Sequence, residues 1–430
     1  MDSTTRSITE LSTQFLSPVL GRYHHIEYAK GEGCYLWDTA GKKYLDMASG
    51  LGVASTGHCH PKVTEAICKQ AQTFIHPCIG NGHYAPPALL AETLSTLISD
   101  TTPFTAFFAQ SGSEANEAAI KLARYVTKRK KLVAFQGGFH GRTLGALSLT
   151  TSKMKYRDGY EPLLEGISFF PYPYTYRCPW GKQTEADSTN AAIHALKESP
   201  LFNEDVAAVI IEPALGEGGY IPAPIAFIKA LRDICTEKGI LLIFDEIQTG
   251  VGRIGKWFGF QHYGVEPDII TLAKGIASGM PLSACLAKKT IMDQWTPGAH
   301  GGTYGANPVS CAAANATLAV ISEHLPGIPE KSNIAFDLLH KRLGSHPNIG
   351  DIRGYGYFIG IELVKDKTSK TPYPELIKPI LEDARNRGVI LISCGLHDNV
   401  LRIIPPLIID EPTLLNGLNI ICDAIEGTKA

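Results

Sequence analysis

Between about residues 100 and 275 the chain alternates short, wholly apolar runs with longer stretches of helical period. The runs are Phe104–Ala109, Leu132–Phe135, Ala207–Ile211, Ile240–Phe244 and Ile269–Ala273, and the helices between them include Glu114–Lys130 and Pro224–Glu237. A strand with one solvated face alternates apolar and polar positions. These runs do not, so they predict strands covered on both faces, in a mostly parallel sheet between helix layers. Upstream, residues 33–47 read as two short strands around the turn Thr39-Ala40-Gly41-Lys42, and residues 61–74 and 86–99 read as helices. After about residue 315 come a long helix, a strand at Tyr357–Val364, a helix at Pro374–Arg387 and strands at Val389–Ser393 and Asn399–Ile404. That mixture predicts a smaller α+β domain, joined by the N-terminal hairpin. The expected division is an N-terminal segment at 1–70 belonging to the small domain, a large domain at 71–315 and a C-terminal small domain at 316–430.

Composition narrows the class. Of 430 residues, 44% are hydrophobic and 19% charged, which suits a large buried core and excludes intrinsic disorder. Lys and Arg number 40 against 42 Asp and Glu, a net charge of −2, so no electrostatic footprint for nucleic acid or an anionic membrane is present. The ten cysteines form no CxxC pair and read as reduced core thiols. No stretch approaches the roughly 18 apolar residues of a membrane-spanning helix, and no basic region precedes an apolar one at the N-terminus. A soluble, cytoplasmic, small-molecule enzyme is the expectation.

Three places carry chemistry. In the first, the run Phe104–Ala109 breaks at Ser111-Gly112-Ser113-Glu114 and enters a long helix. Such a turn aims free backbone N–H groups and the positive helix end at one spot, an anion cradle suited to phosphate. The same residues also suit a plain helix cap, with Ser113 capping and Glu114 in the first turn. In the second, the acidic pair Asp245-Glu246 ends a strongly apolar strand. Ligands of open parallel sheets bind beyond the carboxyl ends of the strands, so Asp245 is placed to face a cationic partner such as a protonated ring nitrogen, or else to cap its own loop. In the third, Lys274 ends the run Ile269–Ala273 and is followed by small residues. A desolvated lysine loses basicity and becomes the nucleophilic amine that Schiff-base chemistry needs, whereas a solvated one is only a surface charge. Cradle, acid and lysine together are the parts that hold pyridoxal phosphate. A nucleotide is disfavoured: there is no GxxxxGK[ST], and Gly354-Tyr-Gly356-Tyr-Phe-Ile-Gly360 has the wrong spacing for a dinucleotide turn.

Six ordered blocks carry a resemblance: SGSEANEAAIKLAR at 111–124, GGFHGRTLGALSLT at 137–150, IIEPALGEGG at 210–219, FDEIQTGVGRIG at 244–255, TLAKGIASGMPL at 271–282 and GGTYGANP at 301–308. From roughly residue 20 to 425 the chain resembles the class III pyridoxal-phosphate aminotransferases of fold type I, and the tail LISCGLHDNVLRIIPPLIID at 391–410 is most similar to bacterial 4-aminobutyrate aminotransferases. The resemblance implies an α/β fold with a helix-sandwiched, mostly parallel sheet and a smaller domain built from both chain ends. It implies that Lys274 joins pyridoxal 5′-phosphate covalently and moves the substrate proton, that Asp245 pairs with the ring nitrogen, and that Gly112 and Ser113 bind the phosphate. Thr303 would reach that phosphate from the partner subunit of a homodimer or higher homo-oligomer. Phe139 and Ile247 would cover the two ring faces, and Gln248 would bond the ring hydroxyl side.

For substrates, the resemblance implies that Arg402 grips the α-carboxylate of glutamate or 2-oxoglutarate. Glu217 would neutralise Arg402 when an ω-amino substrate is bound, Arg142 would receive the distal carboxylate, and Leu51 would line the pocket. A structural ion pair is the other reading of Glu217 and Arg402. The implied activity is ping-pong transamination from 4-aminobutyrate to 2-oxoglutarate. An acetylornithine or ornithine aminotransferase, a racemase or epimerase, or a dialkylglycine-decarboxylase-like enzyme would use the same lysine and ring. The remaining motifs read as structural: His58-Cys59-His60-Pro61 as a turn without metal, His140 as a satisfied histidine, and the aromatic loop Tyr172–Trp180 as packing near the site entrance.

Overall fold

The computed structural model describes residues 6–428. In chain order the strands are β1 (Tyr28–Glu32), β2 (Tyr35–Asp38), β3 (Lys43–Asp46), β4 (Phe104–Ala109), β5 (Lys131–Phe135), β6 (Ile167–Phe170), β7 (Val206–Ile211), β8 (Ala214–Leu215) and β9 (Ile221–Pro222). They continue with β10 (Leu241–Asp245), β11 (Ile269–Leu272), β12 (Ser283–Lys288), β13 (Ile349–Tyr355), β14 (Phe358–Leu363), β15 (Val389–Ile390), β16 (Ile392–Cys394) and β17 (Val400–Ile403). The central sheet has seven strands in the order β4-β12-β11-β10-β7-β5-β6. All neighbours pair in parallel except β12, which runs against both β11 and β4. Each of the five apolar runs forms a strand, and β7 is buried along its whole length. The sheet also contains two strands that hydrophobicity did not reveal. β12 (Ser-Ala-Cys-Leu-Ala-Lys) is buried with small residues that carry little apolar signal, and β6 is a half-covered edge.

The helix Gly112–Thr127 follows β4 and starts at a capping box. The Ser111 hydroxyl accepts from the Glu114 amide, and the Glu114 carboxylate accepts from the Ser111 amide at 2.8 Å. Its buried face is mostly alanine (Ala115, Ala118, Ala119, Ala123), so the helix lies close to the sheet, and it ends at Lys128 in the left-handed conformation. Because β4, β5, β7, β10 and β11 all run the same way, the segments after them gather at one sheet edge. Those segments begin with Gln110, Gln136, Glu212, Glu246 and Ala273, and the cavity lies there.

The second half of the chain adds an antiparallel sheet, β13-β14-β17-β16, and β15 pairs in parallel with β3 to extend the N-terminal hairpin. The beginning and end of the chain thus share a sheet. The short hairpin β8–β9 projects Glu217 toward the cavity. The aromatic loop is not at the site entrance as the sequence predicts. Tyr174 donates to Asp351 at 3.1 Å and Glu362 at 2.8 Å, and Arg177 donates to Glu362 at 2.5 Å. Glu362 sits on β14 with only 3% of its side chain exposed and takes Arg353 as well, at 2.8 Å. A carboxylate buried that deeply has to be matched by cations and donors, and the loop is drawn to it. Among the described residues no helix is long and apolar enough to cross a membrane.

Candidate active site

A cavity of about 900 Å³ opens at the carboxyl edge of the central sheet. One end is the start of the helix Gly112–Thr127, whose first-turn amides point away from the helix body. Gly112 lets Ile247 pack closely there: a Cβ would come 2.8 Å from the end of the Ile247 side chain, which would have to shift. The Ser113 hydroxyl accepts from the Arg142 amide at 3.0 Å, and Gly141 packs so tightly on Ser113 that a Cβ would lie 2.4 Å from that oxygen. Gln110 Nε2, also on the wall, is a buried donor without a partner among the described residues. This end offers donors to an anion.

The middle is organised by Asp245, the last residue of β10, which is 3% exposed. Its Oδ2 accepts from Asn116 Nδ2 and from His140 Nδ1, each at 2.8 Å, and its Oδ1 accepts from the Ile247 amide at 3.1 Å. Asn116 is itself fixed: Nδ2 also donates to the His140 carbonyl at 2.6 Å, and Oδ1 accepts from Thr271 at 2.8 Å. Thr271 is the register partner of Asp245 on the neighbouring strand, so sheet pairing sets the network. His140 therefore serves the site rather than only filling core. Asn116 lies one helical turn after Gly112, a spacing that puts both on one helix face and that the sequence could have yielded.

Lys274 follows β11 in a left-handed backbone conformation, φ 45°, that residues other than glycine seldom adopt. Burial lowers the basicity of its amine, and the carboxylates of Asp245 and Glu212 offset part of that effect. Glu212, which sequence reasoning missed, accepts from the amides of Phe139 and Gly216, both at 2.8 Å. Burial pushes its carboxyl up to about 7, His140 opposes the rise, and Asp245 adds to it.

At the far end Arg402, 3% exposed, donates to Glu217 Oε2 at 3.0 Å, to the Tyr23 hydroxyl at 3.2 Å and to the Ser393 carbonyl at 3.1 Å. Burial opposes its charge, yet Glu217 holds the guanidinium above its ordinary value. The other oxygen of Glu217 accepts from the Tyr156 hydroxyl at 3.0 Å. Burial and the Glu217 charge push that phenol up to about 12. Arg142 stacks on the Tyr156 ring, 3.7 Å from its centroid.

Leu51, Gly112, Ser113, Phe139, Arg142, Glu217, Asp245, Ile247, Gln248, Lys274 and Arg402 thus line one cavity. Thr303 does not: it lies on an exposed stretch, residues 301–304, away from that wall. His58 bonds Asp46 at 2.9 Å, and among the described residues no group of His, Cys, Asp and Glu could hold a metal ion.

Residues 19–425 match the family described as aminotransferase class-III. The chain is 37% identical to 4-aminobutyrate aminotransferase GabT of Escherichia coli K12, over 99% of this chain and 100% of that protein. It is 39% identical to the acetylornithine aminotransferase of Methanocaldococcus jannaschii, over 95% and 96%. The fold superposes on a thermostable (S)-enantioselective ω-transaminase from Thermomicrobium roseum with a TM-score of 0.91 and 30% identity, over 98% and 99% of the two chains. The fold is that of the fold type I transaminases, as expected. The cofactor of such enzymes is pyridoxal 5′-phosphate, and the cavity fits it. It has an anion cradle with a donor that is unpartnered among the described residues, a carboxylate oriented by three hydrogen bonds, and a buried amine of lowered basicity on the same wall.

Proposed function

The chain belongs to the class III aminotransferases, and we propose that it transfers nitrogen from an ω-amino acid, with 4-aminobutyrate the leading donor, to 2-oxoglutarate. The products are the semialdehyde and glutamate, made in two half-reactions that take turns in one cavity. The observation that carries this reading is the Arg402–Glu217 pair, closed at 3.0 Å in a cavity that also holds the exposed Arg142. An enzyme that admits a dicarboxylate in one half-reaction and an ω-amine in the other needs a buried cation and an internal counter-ion that can replace the α-carboxylate. A racemase binds a single substrate type and has no such need.

Bound in the cavity, pyridoxal 5′-phosphate supplies a carbonyl carbon for the amine and a ring that withdraws electrons from it. Gly112 and Ser113 would hold its phosphate, Asp245 would pair with the ring nitrogen, Phe139 and Ile247 would pack against the ring, and Gln248 would bond the hydroxyl side. Lys274 anchors it and moves the proton at the amine-bearing carbon of the substrate, a task for which an amine of lowered basicity is suited. Arg402 grips the α-carboxylate through its planar fork, Arg142 takes the distal carboxylate, and Leu51 bounds the pocket. Thr303 acts from the partner subunit of a homodimer. The N-terminal segment supports that assembly, since Phe15 and Val19 are 68% and 77% exposed and want cover. A cytoplasmic location accords with the free cysteines.

The test is a panel of amine donors offered with 2-oxoglutarate, followed by glutamate formation and by chiral analysis of the donor. Glutamate from 4-aminobutyrate is the expected result. Glutamate from acetylornithine in preference moves the assignment to that relative's activity, and donor inversion without glutamate replaces transamination by racemisation.

A further inference from the structure

The exchange of Glu217 between substrates, as proposed above, leaves a question that the neighbouring side chains answer. When an α-carboxylate takes Arg402, Glu217 becomes a surplus anion in a pocket where its side chain is only 13% exposed. Such a charge needs another cation. Lys153 is in place: its Nζ lies 3.5 Å from Glu217 Oε1 and its side chain is 9% exposed. Glu217 already straddles the two cations, with Oε2 on Arg402 and Oε1 on the Tyr156 hydroxyl beside Lys153. Lys153 is not idle, since it also pairs with Asp398, whose side chain is 55% exposed at the rim of the same cavity. Asp398 can release Lys153 at small cost because water solvates it. The two loops are tied together, because the Gly395 amide donates to the Glu217 carbonyl at 2.9 Å. Burial pulls the Lys153 amine down, but Asp398 and Glu217 outweigh it and keep the ammonium charged.

We propose that Lys153 is the second seat of Glu217 and Asp398 its place-holder, so that substrate alternation is a relay of three carboxylates over two cations. With an ω-amino acid bound, Glu217 sits on Arg402 and Asp398 on Lys153. With glutamate or 2-oxoglutarate bound, the α-carboxylate takes Arg402, Glu217 turns to Lys153 and Tyr156, and Asp398 faces water. Lys153 is a positioning residue acting through Glu217. The inference rests on the dual-substrate reading of this cavity.

The experiment measures single-turnover half-reactions of the holoenzyme with 4-aminobutyrate and with L-glutamate, and the calorimetric affinity for glutarate, a dicarboxylate that cannot react. Lys153→Met should weaken glutarate and raise the half-saturating glutamate concentration by about tenfold, leaving 4-aminobutyrate within about twofold, and Lys153→Arg should restore both. Asp398→Asn should act oppositely, tightening glutarate by about two- to fivefold, and this exposed substitution decides the matter if Lys153→Met does not fold. Equal weakening of both half-reactions by Lys153→Met makes Lys153 a direct carboxylate receptor and overturns the relay, as does an unchanged glutarate affinity in Asp398→Asn. A wild type that binds glutarate but makes no glutamate from 4-aminobutyrate sinks the functional reading alone, and the glutarate affinities of the variants still judge the relay. Failure of the wild type to bind glutarate overturns both.

Discussion

Replacing Glu217 by glutamine tests the substrate alternation at its centre. The change removes one charge and keeps the shape: the single amide oxygen still accepts from the Arg402 guanidinium, and the amide nitrogen, placed where Oε1 stood, donates to the Tyr156 hydroxyl. What is lost is the electrostatic match to a cation that is 3% exposed. At the observed 3.0 Å and an effective dielectric of about 20, the gross attraction is about 5 to 6 kcal/mol. Removing one partner of a buried pair costs roughly 3–5 kcal/mol, and the retained hydrogen bonds to Tyr23, Ser393 and the new amide reduce that to about 2 kcal/mol. That is about a thirtyfold effect, and it falls on the half-reaction in which Arg402 has no carboxylate to meet. Stopped-flow single turnovers, followed by the cofactor's absorbance, should therefore show 4-aminobutyrate slowed by about thirtyfold and glutamate changed by less than about threefold. Equal slowing of the two would mean that Glu217 supports the cavity wall and does not exchange with substrate.

Three further outcomes are expected. Lys274→Ala should abolish turnover and leave the cofactor removable by dialysis after borohydride treatment; turnover at the wild-type level would refute the role given to this amine. Asn116→Ala strips one donor from Asp245 and leaves the Thr271 hydroxyl without its partner in the core, a loss of about 1–3 kcal/mol that should lower Tm and speed cofactor dissociation, and unchanged dissociation would show Asp245 to be held without it. Glu246 accepts from Thr249 at 2.5 Å and from the Phe260 amide at 2.7 Å, yet burial pushes its carboxyl up to about 7. A carboxyl raised on folding stabilises fully below its ordinary value, and that contribution is lost as pH climbs through about 7. Resistance to urea should accordingly fall between about pH 5 and 8, and Glu246→Gln should flatten that fall; an identical slope in the variant would contradict the assignment.

Much of this molecule can be read from its residues in order. Apolar runs without polar alternation predicted five strands of the central sheet, because a strand covered on both faces has no reason to alternate. The acid ending β10 and the lysine after β11 were legible for the same local reason: each stands where a run of one period stops, as does the helix start after β4, although its cap is Ser111 and not the expected Ser113. The blocks around them carried the family and its cofactor. The strands β6 and β12 stayed hidden, one being an edge and the other built from small residues.

Contacts between distant segments are another matter. That Asn116 and His140 meet on Asp245, 129 and 105 positions away, depends on which strands are neighbours, and no local pattern encodes that. The same holds for Glu217 between Arg402 and Lys153, and for the aromatic loop drawn to Glu362. Charges and donors of this kind are placed by the cost of leaving a buried partner unmatched, a cost that exists only once the chain has closed around it.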